Sequence, residues 1–121
     1  MKYILLIYLD EKRWSAIDAV EQQKIYAEFG KLRERLISSG QYLDGSQLQP
    51  ATTASSIRIR DGEELVTDGP FAETHEQLGG YFLIDAKSAT DAIAIAKQIP
   101  IARTGTVEVR ALAERSAEAN A

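Results

Sequence analysis

Two short segments of this chain carry apolar side chains at both odd and even positions. They span residues 3–9, which read YILLIYL, and residues 81–84, which read YFLI. Successive side chains of a β-strand point to opposite faces of its sheet, so a strand that is apolar throughout needs cover on both faces. Both segments are therefore predicted to lie inside a sheet that has a further layer on each side.

Two helices are predicted from capping residues and from apolar residues that recur near the helical period of 3.6. The first begins at Ser15 or Asp18 and stops at Gly40, and the second begins at Ser88 and ends at Pro100. The predicted buried stripe of the first helix comprises Val20, Ile25, Phe29, Leu32 and Leu36. The predicted buried stripe of the second helix comprises Ala89, Ala92, Ile93, Ala96 and Ile99.

A hairpin and a last strand complete the predicted elements. Residues 55–60 alternate between apolar and polar, Asp61-Gly62 suits a tight turn, and residues 63–67 form the returning strand. Residues 106–112 form the last strand. The order strand, helix, hairpin, strand, helix, strand is typical of the ferredoxin-like split βαβ architecture, so the predicted fold class is α+β with an extra hairpin.

The two apolar segments also predict how the chain assembles. In the ferredoxin-like topology residues 3–9 and 80–85 occupy the centre of the sheet, and two helices cover only one of its faces. A second copy, packed sheet to sheet about a twofold axis, is the simplest cover for the other face, which predicts an obligate homodimer. A monomer would expose Ile4, Leu6, Phe82 or their neighbours as a large apolar patch.

Size and charge exclude several classes of partner. The 121 residues fit one domain, predicted to span residues 1–112, with residues 113–121 as a flexible tail. The net charge is −4 and no basic stripe is present, which argues against nucleic acid. The longest apolar run, seven residues, is far shorter than the roughly 20 that span a membrane. Because cysteine is absent as well, a cytoplasmic location is predicted.

A longer motif carries a resemblance to a known family. Residues 67–85 read TDGPFAETHEQLGGYFLID, which resembles the signature of the YCII-related proteins, in the branch named for its DGPF motif. The resemblance extends to KYILLIY at 2–8, GSQLQP at 45–50 and GTVEVRAL at 105–112. In this chain His75 stands where the family usually has lysine. The resemblance implies a dimeric α/β barrel of ferredoxin-like subunits.

The resemblance implies less about activity. Members of the wider superfamily include small enzymes that act on aromatic or polar small molecules, and a His–Asp pair has been suggested as a site in one branch. The single histidine here is His75, and its partner cannot be identified from the sequence. DGPF-type proteins also tend to occur beside extracytoplasmic-function sigma factors, which implies a regulatory protein partner by association alone.

An acidic segment that overlaps the start of the motif supplies the candidate catalytic residues. Six acids, one histidine and no basic residue lie between Asp61 and Glu76. Asp68 follows a predicted strand and precedes a Gly-Pro turn, where a partly desolvated carboxylate can act as a general acid or base. The alternative is an Asx turn in which Asp68 only accepts backbone hydrogen bonds. His75 can transfer protons or lie on the surface, and no recognised metal-ligand spacing surrounds it, so no metal is predicted.

Four further residues are candidates for binding a small molecule. Phe71 can line a pocket or fill the core beneath its loop, and Tyr26 and Tyr81 can offer hydroxyl groups to a ligand. Glu73 belongs to the acidic surface of residues 61–76.

Two hypotheses about function follow. The first is a small enzyme that uses Asp68 as acid or base in lyase, isomerase or hydrolase chemistry, without a cofactor because no cofactor motif is present. The second is a non-catalytic module that binds a small molecule or a regulatory protein through its acidic surface. Neutralising Glu73 and Glu76 would weaken binding under the second hypothesis, whereas Asp68→Asn would not.

Overall fold

The computed structural model describes residues 1–114, which form six strands and three helices. Short 3₁₀ turns at Ala51–Thr53 and Pro100–Arg103 connect some of them. The elements are β1 (Lys2–Leu9), α1 (Glu11–Ala16), α2 (Ala19–Ser38), β2 (Tyr42–Gln47), β3 (Ser55–Arg60), β4 (Glu63–Asp68), β5 (Gln77–Asp85), α3 (Ala89–Ala96) and β6 (Thr106–Ala111). Most of the predicted tail, residues 115–121, lies outside the described residues.

Four of the six strands form one antiparallel sheet in the order β2-β5-β1-β6. Strands β1 and β5, which contain the two apolar segments, are therefore its central strands, as the sequence predicts. Strands β3 and β4 form a separate two-stranded hairpin. This order confirms the predicted α+β fold of the ferredoxin-like type with an extra hairpin.

The hydrophobic core lies between the helices and one face of the four-stranded sheet. Alternate residues of β1 point into it, beginning with Tyr3, Leu5 and Ile7, and they lie opposite Ile84, Phe82 and Gly80 of β5. Phe82 is therefore buried beneath the helices, and the prediction that a monomer exposes it is wrong. Residues 3–9 and 81–84 are apolar at every position, so the sequence does not show which of their side chains face the helices.

The predicted first helix forms as α2, beginning after Asp18 rather than at Ser15, and a short helix that the sequence did not predict, α1, precedes it. The Asp10 carboxylate accepts hydrogen bonds from the backbone of Lys12 and Arg13 at the start of α1. Asp18 then caps α2, as predicted, because the extended backbone at Ile17 separates the two helices. The end at Gly40 is also confirmed, since Gly40 has a φ of 73°.

Three residues of the predicted helical stripes, Val20, Ala89 and Ile93, face solvent instead. Val20, in the first turn of α2, is exposed, whereas Leu32 and Leu36 are buried. In α3, Ile93 is exposed and Ile95 is buried in its place. The buried residues Ala92, Ile95, Ala96 and Ile99 follow the spacing of one helical face. Because α3 is apolar almost all round, its sequence allowed two different stripes.

The Asp61-Gly62 turn forms as predicted. Both residues have positive φ, 52° and 78°, and Arg60 pairs with Glu63 across the first position of the hairpin. This is the backbone conformation that tight hairpin turns require and that Asp and Gly tolerate best.

The cap of the longer helix gives a direct stability test. The Asp18 carboxylate accepts a hydrogen bond of 2.8 Å from the backbone N–H of Glu21. We expect Asp18→Ala to lower the free energy of unfolding by about 1 kcal/mol, measured by urea denaturation. Asp18→Ser is the control, because serine keeps an oxygen in the capping position. Equal losses in both variants would contradict the capping role.

An ion pair fastens α2 to the turn before β6. Both guanidinium nitrogens of Arg103 donate to the Glu28 carboxylate, at 2.9 and 3.0 Å, and these hydrogen bonds lower the pKa of Glu28 from its usual value. A carboxyl with a lowered pKa in the folded state stabilises above its unfolded pKa and loses that contribution as the pH falls through the folded value. The pair is exposed, so the contribution is small.

This pair predicts a pH-dependent difference between two proteins. At neutral pH we expect the wild type to melt slightly above Glu28→Gln, and we expect the difference to vanish in acid, below the usual pKa range of glutamate. Thermal melts at several pH values check this. A difference that stays constant across the range would contradict the ion pair as its source.

Candidate ligand-binding site

A cavity of about 440 Å³ lies between the helices and the sheet, at the end of the sheet where β1 and β2 finish and β5 begins. Its walls come from α1, from one face of α2, and from the segment that follows β2. The lining residues are Ile7, Leu9, Glu11, Trp14, Ser15, Tyr26, Phe29, Arg33, Ser46, Gln47, Leu48, Pro50, Gly79, Gly80, Tyr81, Phe82 and Ile101.

Two adjacent glycines form part of the cavity wall on the sheet. The register of β1 with β5 shifts between Ile7 and Tyr8, and Gly79 is the residue that this bulge leaves unpaired. A Cβ at Gly79 would collide with Leu9, and one at Gly80 would lie 2.9 Å from the backbone oxygen of Ser46. Glycine in a strand interior commonly marks such a bulge or a close approach of another backbone. The absence of side chains at these positions allows Leu9 and the backbone of β2 to come this close to the strand.

Aromatic rings line the opposite side of the cavity. Trp14 of α1 and Tyr26 of α2 meet edge to face, with ring centroids 5.6 Å apart. Phe29, one turn further along α2, makes the same kind of contact with Phe82 of β5 at 6.1 Å. These pairs fix the positions of the rings and present apolar surface to the cavity.

A small number of polar groups adjoin the aromatic surface. The amide of Gln47 donates to the Tyr26 hydroxyl at 3.3 Å. One oxygen of Glu11 accepts a hydrogen bond of 2.9 Å from the backbone of Ala51, which ties α1 to the segment after β2. Arg33 supplies a positive charge to the lining. An apolar cavity with few polar groups is the usual composition of a small-molecule site.

Of the residues predicted to bind a ligand, Tyr26 and Tyr81 both line this cavity. The side chain of Tyr81 alternates with that of buried Phe82, however, so its ring lies on the face of the sheet away from the helices. There its hydroxyl donates to Asp44 at 3.2 Å, and this hydrogen bond raises the pKa of Tyr81 above its usual value. Only Tyr26 therefore offers its ring and hydroxyl on the helix side.

The first part of the motif, residues 67–76, lies away from the cavity. Asp68 is exposed at the end of β4, opposite Ser55, and lines neither this cavity nor a smaller one of about 180 Å³ beneath α1. Within residues 1–114 its carboxylate accepts no backbone hydrogen bond, so the alternative of an Asx turn is not observed either. Phe71 is 78% exposed, so the expectation that it fills the core beneath its loop is wrong.

The single histidine approaches an aspartate that the sequence did not point to. His75 Nε2 lies 3.8 Å from Asp10 Oδ2, while the other oxygen of Asp10 caps α1. The side chain of His75 is 89% exposed, and Glu73 is exposed beside it. Among residues 1–114 no three His, Asp or Glu side chains cluster as metal ligands. No helix of the described chain is long and apolar enough to cross a bilayer.

Sequence reasoning missed most of the cavity. Trp14, Arg33 and Gln47 were not singled out, because they come from three elements far apart in the sequence and none belongs to a recognised motif. One signal was available for Trp14, the only tryptophan of the chain, which lies close to the aromatic residues of the following helix along the sequence.

Fold and cavity together define a small α+β protein of ferredoxin-like topology with a ligand-sized cavity beneath its helices. The chain matches the YCII-related domain family over residues 1–116 and belongs to it. An uncharacterised protein of Rhizobium meliloti (strain 1021) is 37% identical over 115 residues, which is 93% of each chain.

Proposed function

We propose that this YCII-family protein binds a small aromatic molecule in the cavity beneath its helices, as a homodimer in which two open sheet faces meet. The observation that carries the ligand proposal is the cavity itself. Its volume of about 440 Å³ falls within the range of roughly 300–1,000 Å³ typical of ligand pockets. The wall formed by Trp14, Tyr26 and Phe29 suits a flat, largely apolar ligand.

The polar groups suggest where such a ligand carries its polar atoms. The Tyr26 hydroxyl and the Gln47 amide already bond to each other, and a ligand hydroxyl or carboxylate can join that pair. Within residues 1–114 the side chain of Arg33 makes neither a hydrogen bond nor an ion pair, so its guanidinium can meet an anionic group. Hydroxylated aromatic acids are therefore the first compounds to test.

The homodimer is supported by the face of the sheet away from the helices. Ile4, Leu6 and Leu83 lie on that face and are only partly buried within one chain. No helix covers them, because all three helices of residues 1–114 pack on the other face or at its ends. A second copy placed face to face would bury these side chains in a symmetric interface.

Binding is favoured over catalysis because the two candidate catalytic residues do not line the cavity. Asp68 lies on the hairpin and His75 on an exposed loop. A residue that acts as a general acid or base must lie within hydrogen-bonding distance of the bound molecule. Catalysis at Asp68 and binding of a regulatory protein through the acidic surface are the alternatives, and the next experiment separates catalysis at Asp68 from the proposed function.

Trp14 makes the test simple, because the only tryptophan of the chain lines the cavity. We expect benzoate or its hydroxylated derivatives to change the fluorescence of Trp14 in a saturable manner. Tyr26→Ala is expected to weaken that binding up to about tenfold, since it removes one ring contact and one hydroxyl. Ile37→Ala, an exposed position on the same helix outside the cavity, is the control.

The same titration tests the alternatives. Asp68→Asn is expected to leave binding unchanged, whereas turnover of a bound compound that disappears in Asp68→Asn would assign Asp68 to catalysis. Equal affinity of Tyr26→Ala and the wild type for every compound that binds would overturn the proposed site.

A further inference from the structure

The β3–β4 hairpin presents one strongly apolar face that the rest of residues 1–114 leaves exposed. Residues directly opposite each other in an antiparallel pair share a face, so Ile57 and Val66 lie side by side with Ile59 next to them. Their exposures are 67%, 65% and 62%. Three large aliphatic side chains on one face of one hairpin form a contiguous patch of the kind that marks an interaction site.

The rest of the hairpin is equally bare. Of its twelve strand residues, all except Ser56 are exposed. At its base the Ser56 hydroxyl donates to the backbone of Gly69 at 2.8 Å, and Gly69 donates to the backbone of Ala54 at 2.6 Å. An isolated two-stranded hairpin is marginally stable in water, and packing against another surface is what stabilises it.

We propose that the hairpin of each protomer is an arm that packs its apolar face against the partner subunit in the homodimer. This inference rests on the dimer of the proposed function and adds a second, separate contact to it. Ile57, Ile59 and Val66 meet the partner at the edge of its open sheet face, beside β6. The partner is a second copy of this chain because that copy also carries an uncovered apolar surface, at Ile4 and Leu6, continuous with the proposed interface.

Charge complementarity supports this placement. The apolar face of the hairpin is bordered by two acids, Glu64 and Asp68, which share that face through their pairing with Ile59 and Ser55. On β6 the open face of the sheet carries Arg110, opposite Ile4, and Glu108, opposite Leu6, so the two acids of the hairpin are placed at the Arg110 end of this strand. Within residues 1–114 Arg110 forms no ion pair. Opposite charges at the margin of an apolar contact orient the two surfaces.

The arm also adds to the surface area that the proposed dimer buries. Specific dimers bury about 800 Å² on each partner. The open sheet face is narrow, since four strands supply it and its margins are polar, with Tyr8 bonded to Glu108 and Tyr81 bonded to Asp44. The hairpin provides further apolar area on the same molecule.

Ile57→Asp tests the arm, with Arg58→Asp on the opposite face of the same strand as its matched control. Analytical ultracentrifugation of the wild type is expected to show a dimer. Ile57→Asp is expected to raise the dimer dissociation constant at least about tenfold, because a buried isoleucine is replaced by a charge, and Arg58→Asp is expected to leave it nearly unchanged. Circular dichroism and Trp14 fluorescence report whether each variant is folded.

The outcomes separate the arm from the dimer. A wild-type dimer that Ile57→Asp does not weaken would overturn the arm and leave the dimer in place. A wild-type monomer would overturn both, and binding of benzoate derivatives would still test the cavity on its own.

If Ile57→Asp does not fold, cross-linking tests whether the apolar face of the hairpin contacts the partner subunit. The chain has no cysteine, so Val66→Cys and Arg110→Cys introduce the only thiols. When the two single variants are mixed, a covalent heterodimer through a short bismaleimide supports the arm. A matched mixture of Arg58→Cys with Arg110→Cys is expected to give much less product. Equal yields from the two mixtures would contradict the proposed face.

Discussion

Leu6→Asp is expected to convert the protein from a dimer into a folded monomer. Leu6 lies on the open face of central strand β1, opposite Tyr81 and Glu108 on the neighbouring strands. In the proposed dimer it is buried near the twofold axis, where an unpaired carboxylate costs several kcal/mol. In a monomer the same side chain is partly exposed and the charge is tolerated. We expect the dimer dissociation constant to rise at least about a hundredfold.

Sedimentation equilibrium and circular dichroism check this prediction together. Val20→Asp is the control, because Val20 is an exposed apolar residue in the first turn of α2, where an acidic side chain is well tolerated. A Leu6→Asp protein that stays dimeric with unchanged affinity would show that the open face of the sheet is not the interface.

Leu5→Ala is expected to produce a different kind of loss, although the two leucines are neighbours. Leu5 is fully buried between the sheet and the helices, opposite Phe82 and Val109. Truncation leaves a cavity in the centre of the core, which typically costs about 2–5 kcal/mol. That is a large fraction of the stability of a domain of this size, so the melting temperature is expected to fall strongly.

Denaturant unfolding measures this loss, and the comparison with position 6 makes it specific. Leu6→Ala removes the same atoms from the other face of the same strand, so it serves as the control. It is expected to affect dimer affinity more than the stability of the protomer. Equal losses of protomer stability at the two positions would contradict the assignment of their faces.

The topology was predictable from local patterns. The Asp61-Gly62 turn fixed the hairpin, Asp18 and Gly40 bounded α2, and the two doubly apolar strands required central positions in the sheet. The sequence does not show which side chains of those strands point toward the helices, as Phe82 illustrates. When every position is apolar, there is no polar–apolar alternation to mark the buried face. For the same reason Ile93 was predicted to be buried in α3, where the structure buries Ile95 instead.

The candidate site was less predictable for a physical reason. The acidic segment of residues 61–76 stands out in the sequence because charges and turn residues are concentrated there, yet its hairpin is exposed and lines neither cavity. The cavity arises where Trp14, Tyr26 and Gln47 converge from separate elements. That convergence depends on how α1 and α2 pack on the sheet, and no spacing along the chain records it.

The cavity has one wall of sheet backbone, at the glycine pair of β5, and one wall of side chains on the helix side. Backbone forms the surface at Gly79 and Gly80, and its shape is held by the hydrogen bonds of the sheet rather than by side-chain rotamers. Replacing Gly80 would push a side chain into the backbone of β2 and disturb that framework. Substitution of Tyr26 or Gln47 changes side chains that face the cavity and their contacts with each other, and leaves the backbone of the sheet in place. If the cavity binds a ligand as proposed, new ligand preferences can therefore evolve on the helix side while the sheet keeps its form.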